Sequence, residues 1–223
     1  MPYNTNIIGH MVEDELKVIE EWAYNIPKNG VIVEIGTFFG RSAVCWAMSS
    51  DPSVKIYCGD IWPESFVTET YTHIIPGLPK SNFKYNLWQE FKNNVKEFSN
   101  IIPLRGFFPL GIKYPGDPID IFFLDAMHTN PNDWDNLEYF KQFIKPTGMI
   151  CGHDYSSHWP EVMENVNRLE KLMNRKATVY PGGSLWSISL AEPVDQIAIT
   201  VDELQKIIDI SRNSGGILKL RKQ

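Results

Sequence analysis

Short β-branched runs alternate along this chain with amphipathic helical stretches, and this order restricts the fold more than any other feature of the sequence. The runs at 31–35, 54–58 and 119–124 are short and apolar, whereas apolar residues recur at three- and four-residue steps in stretches between them. Strands that alternate with helices require a parallel sheet, and right-handed crossovers then place helices on both of its faces. The sequence therefore predicts an α/β fold with a doubly wound, Rossmann-like, mostly parallel sheet.

The length of 223 residues predicts a single domain over 1–223. A leading helix is expected over about 12–26, the α/β core over about 30–190 and a C-terminal helical tail over about 200–223. A break is expected at the Lys-Pro-Thr-Gly sequence of 145–148, and a short strand over 149–152 follows it. A glycine turn at 181–183 separates two further runs of strand-forming residues. These two runs predict an antiparallel pair that closes the sheet.

Charge and composition argue against several kinds of partner. The formal net charge of −6 has the wrong sign for a protein that neutralises many phosphates, so no nucleic acid is expected. No apolar run reaches the roughly 18–20 residues of a membrane helix, so no membrane association is expected. The three cysteines lack zinc-type spacing, which indicates reduced thiols in the core and a cytoplasmic protein.

Polar residues follow several predicted strands at the points where those strands end. Because the carboxyl ends of parallel strands meet at one edge of a sheet, these side chains converge there. Ligands of such sheets bind at the same edge, where the strand order reverses. This convergence is the strongest functional signal in the sequence. The residues concerned are Glu34, Asp60, Asp125, His153 and Asp154.

A glycine-bearing turn from Gly36 to Gly40 connects the first strand to the next helix. Such a turn lets a ligand approach the backbone, and the amides at the start of the helix can donate hydrogen bonds to it. Its spacing differs from the three-glycine pyrophosphate loop of dinucleotide sites and from the Walker motif. Asp60, at the end of the second strand, can accept hydrogen bonds from both hydroxyls of a ribose. Together these features predict a nucleoside-like ligand.

Three segments resemble the motifs of a known enzyme family. VEIGTFFGRS at 33–42 resembles the cofactor motif of class I S-adenosylmethionine-dependent methyltransferases. LDAMH at 124–128 and GHDY at 152–155 are similar to later motifs of the small-molecule O-methyltransferase-like branch, which includes macrolide, aminocoumarin and cephalosporin-pathway methyltransferases. The resemblance covers roughly 16–190. It implies a seven-stranded sheet in which the last strand is antiparallel.

The resemblance also implies where the cofactor binds. It places S-adenosylmethionine against the glycine turn, with Glu34, Gly36 and Gly40 around the methionine part. Asp60 is expected to bind the ribose. Further cofactor contacts are expected from Thr37, Ser42, Ile61, Trp62 and Asp125.

The resemblance implies a small-molecule hydroxyl as acceptor, and two routes could remove its proton. His128 or His153 could act as the general base, because an imidazole titrates near neutral pH. Alternatively, a divalent metal such as Mg²⁺ could lower the pKa of the acceptor hydroxyl. Metal-dependent members of this branch hold Mg²⁺ through residues that match Asp125 and Asp154, whereas His153 stands where they often have an acidic residue. The two routes do not exclude each other.

Other interpretations of the same residues stay open at this point. An NAD(P)-type oxidoreductase would share the sheet but needs the three-glycine loop, and a non-catalytic nucleoside-binding module would share the pocket. His128 and His153 could be structural, and carboxylates at strand ends could cap helices. A homo-oligomer is compatible with the sequence. Several aromatic residues in and after an irregular segment at 61–84 could line an acceptor pocket or fix a lid to the core, namely Trp62, Phe66, Tyr71, His73 and Trp88.

Overall fold

The computed structural model of the chain describes residues 6–67 and 84–191. By its internal contacts Met1–Ala191 is one compact unit, while the prediction of a single domain over 1–223 stays a prediction. The expected helical tail at 200–223 and the predicted lid residues Tyr71 and His73 lie outside the described ranges. Within those ranges, no helix combines the length and the apolarity that a membrane crossing requires.

The described elements alternate between helices and strands as expected. The helices are α1 Glu13–Tyr24, α2 Arg41–Ser49, α3 Leu87–Val95, α4 Asn132–Phe140 and α5 Pro160–Met173. The strands are β1 Val31–Ile35, β2 Lys55–Asp60, β3 Phe66–Val67, β4 Lys84–Tyr85, β5 Ile101–Arg105, β6 Ile119–Leu124, β7 Ile144–Gly152, β8 Thr178–Val179 and β9 Trp186–Ser189.

A seven-stranded sheet organises the chain in the order β5-β2-β1-β6-β7-β9-β8. The five strands from β5 to β7 are parallel, whereas β9 runs antiparallel to both of its neighbours, β7 and β8. The predicted mostly parallel sheet with an antiparallel last strand is thereby confirmed. The strand order reverses between β1 and β6, so the carboxyl ends of these two strands mark the expected ligand edge.

Helices cover both faces of the sheet, and the alternation of side chains along β1 shows how. Val33 and Ile35 face the cluster that α4 and α5 complete with Trp134 and Val166. Ile32 lies in the opposite cluster, which α1, α2 and α3 complete. Glu34 shares the face of Ile32, so its carboxyl group enters the apolar layer under α2. A carboxyl group in an apolar layer requires hydrogen-bond donors, and the indole of Trp46 in α2 is one of them.

Two elements differ from the sequence-based expectation. Part of the segment predicted as irregular is ordered, because Phe66–Val67 pairs antiparallel with Lys84–Tyr85 as a small second sheet. Strand β7 begins at Ile144, several residues before the expected start at Met149. Its register with β6 shifts over this stretch, where Pro146 has no N–H to donate to the ladder. The Lys-Pro-Thr-Gly sequence that indicated a break is thus an irregular strand start.

Candidate active site

The turn after β1 packs directly against the carboxyl end of β6. The Gly36 N–H donates to the carbonyl oxygen of Gly59 over 2.8 Å, and the Asp125 N–H donates to that of Ile35 over 2.9 Å. Gly36 has a left-handed φ of +93°, and a Cβ added there would overlap the carbonyl oxygen of Asp125. Only glycine therefore allows the turn to follow the strand ends this closely.

Asp60 fixes this turn to the end of β2. Its Oδ2 accepts the Phe38 N–H over 2.8 Å, and its Oδ1 accepts the Trp62 N–H over 2.9 Å. Burial raises the pKa of the Asp60 carboxyl group above its ordinary value, while these backbone donors oppose that rise. Each carboxylate oxygen can accept a second hydrogen bond. Asp60 thus organises the turn at the end of β2.

Glu34 is a fully buried carboxyl group beneath the same turn. Its Oε1 accepts the indole N–H of Trp46 over 3.3 Å, and the thiol of Cys58 lies 3.9 Å from its Oε2. Burial raises the pKa of Glu34 to about 7, although hydrogen bonds from Ser42 and Trp46 oppose the rise. Glu34 therefore joins β1, β2 and α2 below the predicted cofactor site.

We expect the wild-type protein to lose stability between pH 5 and pH 8, and we expect the Glu34→Gln variant to lack this loss. The pKa of Glu34 is raised from 4.5 to about 7, so its contribution is present below pH 4.5 and is lost as the pH rises to about 7. The loss is about 3 kcal/mol in the free energy of unfolding. Denaturant titrations of wild type and variant at pH 5 and pH 8 measure it, with the exposed Glu21→Gln as control. Identical pH dependence of all three proteins would contradict the expectation.

Two histidines and two aspartates meet where β6 and β7 end. His128 Nε2 lies 3.1 Å from Asp154 Oδ2 and 3.8 Å from Asp125 Oδ1. His153 Nδ1 lies 3.1 Å from the same oxygen of Asp154 and 3.6 Å from Asp125 Oδ1. Of the five residues predicted to converge at the sheet edge, Asp125, His153 and Asp154 thus lie in one cluster with His128. Glu34 and Asp60 lie outside it, at the turn after β1.

Glu15 completes this cluster from the leading helix. Its Oε1 lies 3.0 Å from His153 Nε2 and accepts the Ser184 N–H over 2.8 Å. Burial disfavours the charged imidazole, but the carboxylates of Asp125, Asp154 and Glu15 raise the pKa of His153 to about 12. Because both ring nitrogens face carboxylate oxygens, His153 is a doubly protonated link between α1 and the strand ends.

His128 stands in a different environment from His153. Burial lowers its basicity, but Asp154 and Asp125 outweigh burial, so the pKa of His128 lies above its ordinary value. Burial also opposes ionisation of Asp154, yet His128 and His153 hold the pKa of Asp154 far below its usual range. An ionised aspartate therefore orients the His128 ring through Nε2.

Backbone conformation also distinguishes this edge. Non-glycine residues with a left-handed φ are uncommon, and four of those among the described residues lie at this edge of the sheet. The φ angles are +53° at Phe38, +35° at Trp62, +58° at His128 and +61° at Asp154. Such conformations cost free energy and concentrate at functional sites.

The structure places the remaining predicted residues in two different environments. The side chains of Thr37 and Ser42 are buried near Glu34, while Ile61 is largely exposed beside Asp60. Trp62 is fully buried and donates its indole N–H to the Phe38 carbonyl oxygen over 2.7 Å. Its ring packs beside those of Trp88 and Phe91. Trp62 is thus part of the core, Trp88 is half-buried against it, and only the backbone of Phe66 is described.

Two residues near the site were not predicted from the sequence. Glu15 lies four positions before Ile19, so helical spacing puts it on the apolar face of α1, and that mismatch was a readable signal. His10 lies before α1, with its ring centroid 6.0 Å from that of Phe38. Burial lowers the pKa of His10, while the charges of Asp125 and Asp154 oppose that shift. The sequence gives no signal for His10.

A family model described as "Methyltransferase domain" matches residues 33–155, which include the glycine turn and the histidine–aspartate cluster. The chain belongs to the class I S-adenosylmethionine-dependent methyltransferases. This methyltransferase takes its methyl group from S-adenosylmethionine. Membership of this family argues against the two other interpretations of the sequence, an NAD(P)-type oxidoreductase and a non-catalytic nucleoside-binding module. No curated protein has significant sequence similarity to the chain.

Solved structures share the fold of this methyltransferase at low sequence identity. The O-methyltransferase NovP is 14% identical with a TM-score of 0.61 over 81% of this chain and 82% of that one. TomG from Streptomyces achromogenes, an O-methyltransferase of tomaymycin synthesis solved with S-adenosylmethionine, is 15% identical with a TM-score of 0.56 over 81% of each chain. Precorrin-6y C5,15-methyltransferase from Geobacter metallireducens is 12% identical, with a TM-score of 0.58 over 84% and 93% of the two chains. At sequence identities of 12–15%, the structural similarity to these proteins shows a shared fold alone.

Proposed function

We propose that this methyltransferase methylates a hydroxyl group of a small-molecule acceptor, with His128 as the general base. The observation that carries the proposal is the contact of 3.1 Å between His128 Nε2 and Asp154 Oδ2 at the ligand edge of the sheet. An ionised aspartate that holds one imidazole nitrogen leaves the other nitrogen to accept a proton. Several structural neighbours are O-methyltransferases of small molecules, which supports the same acceptor class.

The proposed reaction is a single displacement at the methyl carbon. The acceptor oxygen forms a bond to the methyl group as the bond from carbon to the sulfonium sulfur breaks, and the hydroxyl proton passes to His128 Nδ1. S-adenosylhomocysteine and a protonated imidazole result. Because the leaving group is already activated, the enzyme mainly has to align oxygen, carbon and sulfur, and alignment can contribute about 7–11 kcal/mol.

Cofactor binding is assigned to the turn after β1 and its supports. We propose that Gly36 and Gly40 allow the methionine part to approach the backbone, and that Asp60 accepts hydrogen bonds from the ribose hydroxyls. The full burial of Glu34 supports an indirect role, in which its carboxyl group holds α2 and the turn in place. His153 is assigned to positioning Asp154 and Asp125, because both of its nitrogens already face carboxylate oxygens.

The same cluster fits a divalent cation by its spacing. Asp125, His128 and Asp154 each offer one donor atom, and these atoms lie within 4.8 Å of one another. These residues would hold the ion, which would polarise an acceptor hydroxyl and lower its pKa. A set that includes an imidazole suits Mn²⁺, Fe²⁺ or Zn²⁺ better than the expected Mg²⁺, which prefers oxygen ligands. His153 lies against both carboxylates and balances part of their charge, so the His128 route needs no ion.

We expect turnover to survive removal of divalent metals. His153 already balances part of the charge of the two aspartates, and His128 can accept the proton directly. The measurement is the rate of S-adenosylhomocysteine formation before and after dialysis against EDTA, with Mn²⁺ and Mg²⁺ added back. A rate within about twofold throughout is the expected result. Loss of turnover that Mn²⁺ restores would assign the cluster to a metal instead.

The acceptor class is tested with paired compounds. Candidate phenols and glycosides are incubated with the enzyme and S-adenosylmethionine carrying a labelled methyl group, each beside the analogue that lacks the hydroxyl. Label in the hydroxyl compound and none in its deoxy analogue supports O-methylation. Label transferred to a nitrogen or carbon of both compounds would overturn it.

A further inference from the structure

Trp159 exposes a large aromatic surface directly beside the proposed base. Its ring centroid lies 4.7 Å from that of His128, at an interplanar angle of 52°. The side chain precedes α5 and is 37% exposed, whereas Trp46, Trp62 and Trp186 are buried. Exposed tryptophan surface beside a reactive group suits ligand recognition, because one residue offers a flat apolar face.

Two backbone hydrogen bonds hold Trp159 in a turn. Its N–H donates to the carbonyl oxygen of Ser156 over 3.0 Å, and its own carbonyl oxygen accepts the Val162 N–H over 3.1 Å. The ring is therefore presented from a defined turn at the start of α5. A preorganised aromatic face loses little conformational entropy when a ligand stacks on it.

A second exposed apolar residue lies in the loop that carries His128. Met127 precedes His128 in the chain and is 56% exposed. Thioether side chains adapt to ligands of irregular shape and make favourable contacts with rings. Exposed apolar residues thus lie both in the loop of His128 and in the turn before α5.

We propose that Trp159 is the acceptor-binding platform of this methyltransferase and that the acceptor is a ring compound with a flat apolar face and a hydroxyl on its edge. The ring stacks on Trp159, and its edge hydroxyl then reaches the adjacent His128. Phenolic rings and pyranose rings share this chemistry, whereas open-chain alcohols lack a face to stack. The proposal rests on the proposed function and specifies its substrate class.

The test is binding of small ring probes to the enzyme saturated with S-adenosylhomocysteine. Catechol and methyl glucopyranoside are titrated by ligand-observed NMR, with glycerol as the open-chain probe. We expect at least one ring probe to bind roughly tenfold more tightly than glycerol. Trp159→Ala should weaken that binding about 10–100-fold, Trp159→Phe should retain most of it, and the exposed Leu172→Ala should leave it unchanged.

The outcomes separate the platform from the proposed reaction. Binding of catechol alone, of the pyranoside alone or of both, with loss in Trp159→Ala, supports the platform and identifies the ring type. Absence of ring binding to wild type, or equal binding by Trp159→Ala, overturns it. Titration of the same samples with S-adenosylhomocysteine tests the cofactor site, and failure of wild type to bind it would count against the proposed function itself.

Discussion

Replacing His128 with glutamine lowers kcat for methyl transfer by about 10²–10⁴-fold, the usual contribution of a positioned general base. Glutamine keeps an amide N–H for Asp154 but has no group that accepts a proton near neutral pH. Affinity for S-adenosylhomocysteine should stay within about twofold, because the assigned cofactor residues are untouched. Steady-state kinetics and calorimetry on the same preparations measure the two quantities.

The pH dependence separates a base from a merely structural histidine. Asp154 and Asp125 keep the pKa of His128 above its ordinary value, so activity should rise with pH as the imidazole loses its proton. That acidic limb of kcat/KM should disappear in His128→Gln. The exposed His158→Gln is the matched control and should behave as wild type. An unchanged acidic limb in His128→Gln, or an unchanged kcat, would show that another group removes the proton.

Replacing Gly36 with alanine should destabilise the protein by about 3–5 kcal/mol and abolish cofactor binding. The added Cβ would overlap the carbonyl oxygen of Asp125, and the left-handed φ of +93° is itself unfavourable for alanine. The turn can relieve the overlap only by moving away from β6. Denaturant unfolding and titration with S-adenosylhomocysteine measure the two effects.

Gly182 provides a matched control for Gly36. It also has a left-handed φ, of +84°, but a Cβ added there would meet nothing within 4 Å. Gly182→Ala should therefore cost only the conformational strain of about 1–2 kcal/mol and leave cofactor affinity intact. Equal effects of the two substitutions would show that close packing of the turn against Asp125 has no role.

The parallel core was predictable because its signals are local. Val31–Ile35 is a β-branched run with a glycine turn after it, and the apolar run that ends at Leu124 leads into Asp125. The topology of such a sheet then brings strand ends together, which is why Asp125 and Asp154 were expected as neighbours. The structure adds that His128 bridges them.

Contacts distant in sequence could not be predicted in the same way. Glu15 and His153 are 138 positions apart and meet only because α1 packs at the end of β7. The sequence showed Glu15 as a charged residue on an apolar face but gave no partner for it. Strand β7 was predicted too short because Pro146 normally interrupts a ladder, and only the register shift beside β6 accommodates it.

The most direct test of the account is calorimetric titration of the purified enzyme with S-adenosylhomocysteine and, separately, with NADH. We predict one site with micromolar affinity for S-adenosylhomocysteine, about −8 kcal/mol, and no measurable heat from NADH. Asp60→Ala should weaken the first interaction. Absence of S-adenosylhomocysteine binding, or a preference for NADH, would contradict the assignment of the turn after β1 as the methyl donor site.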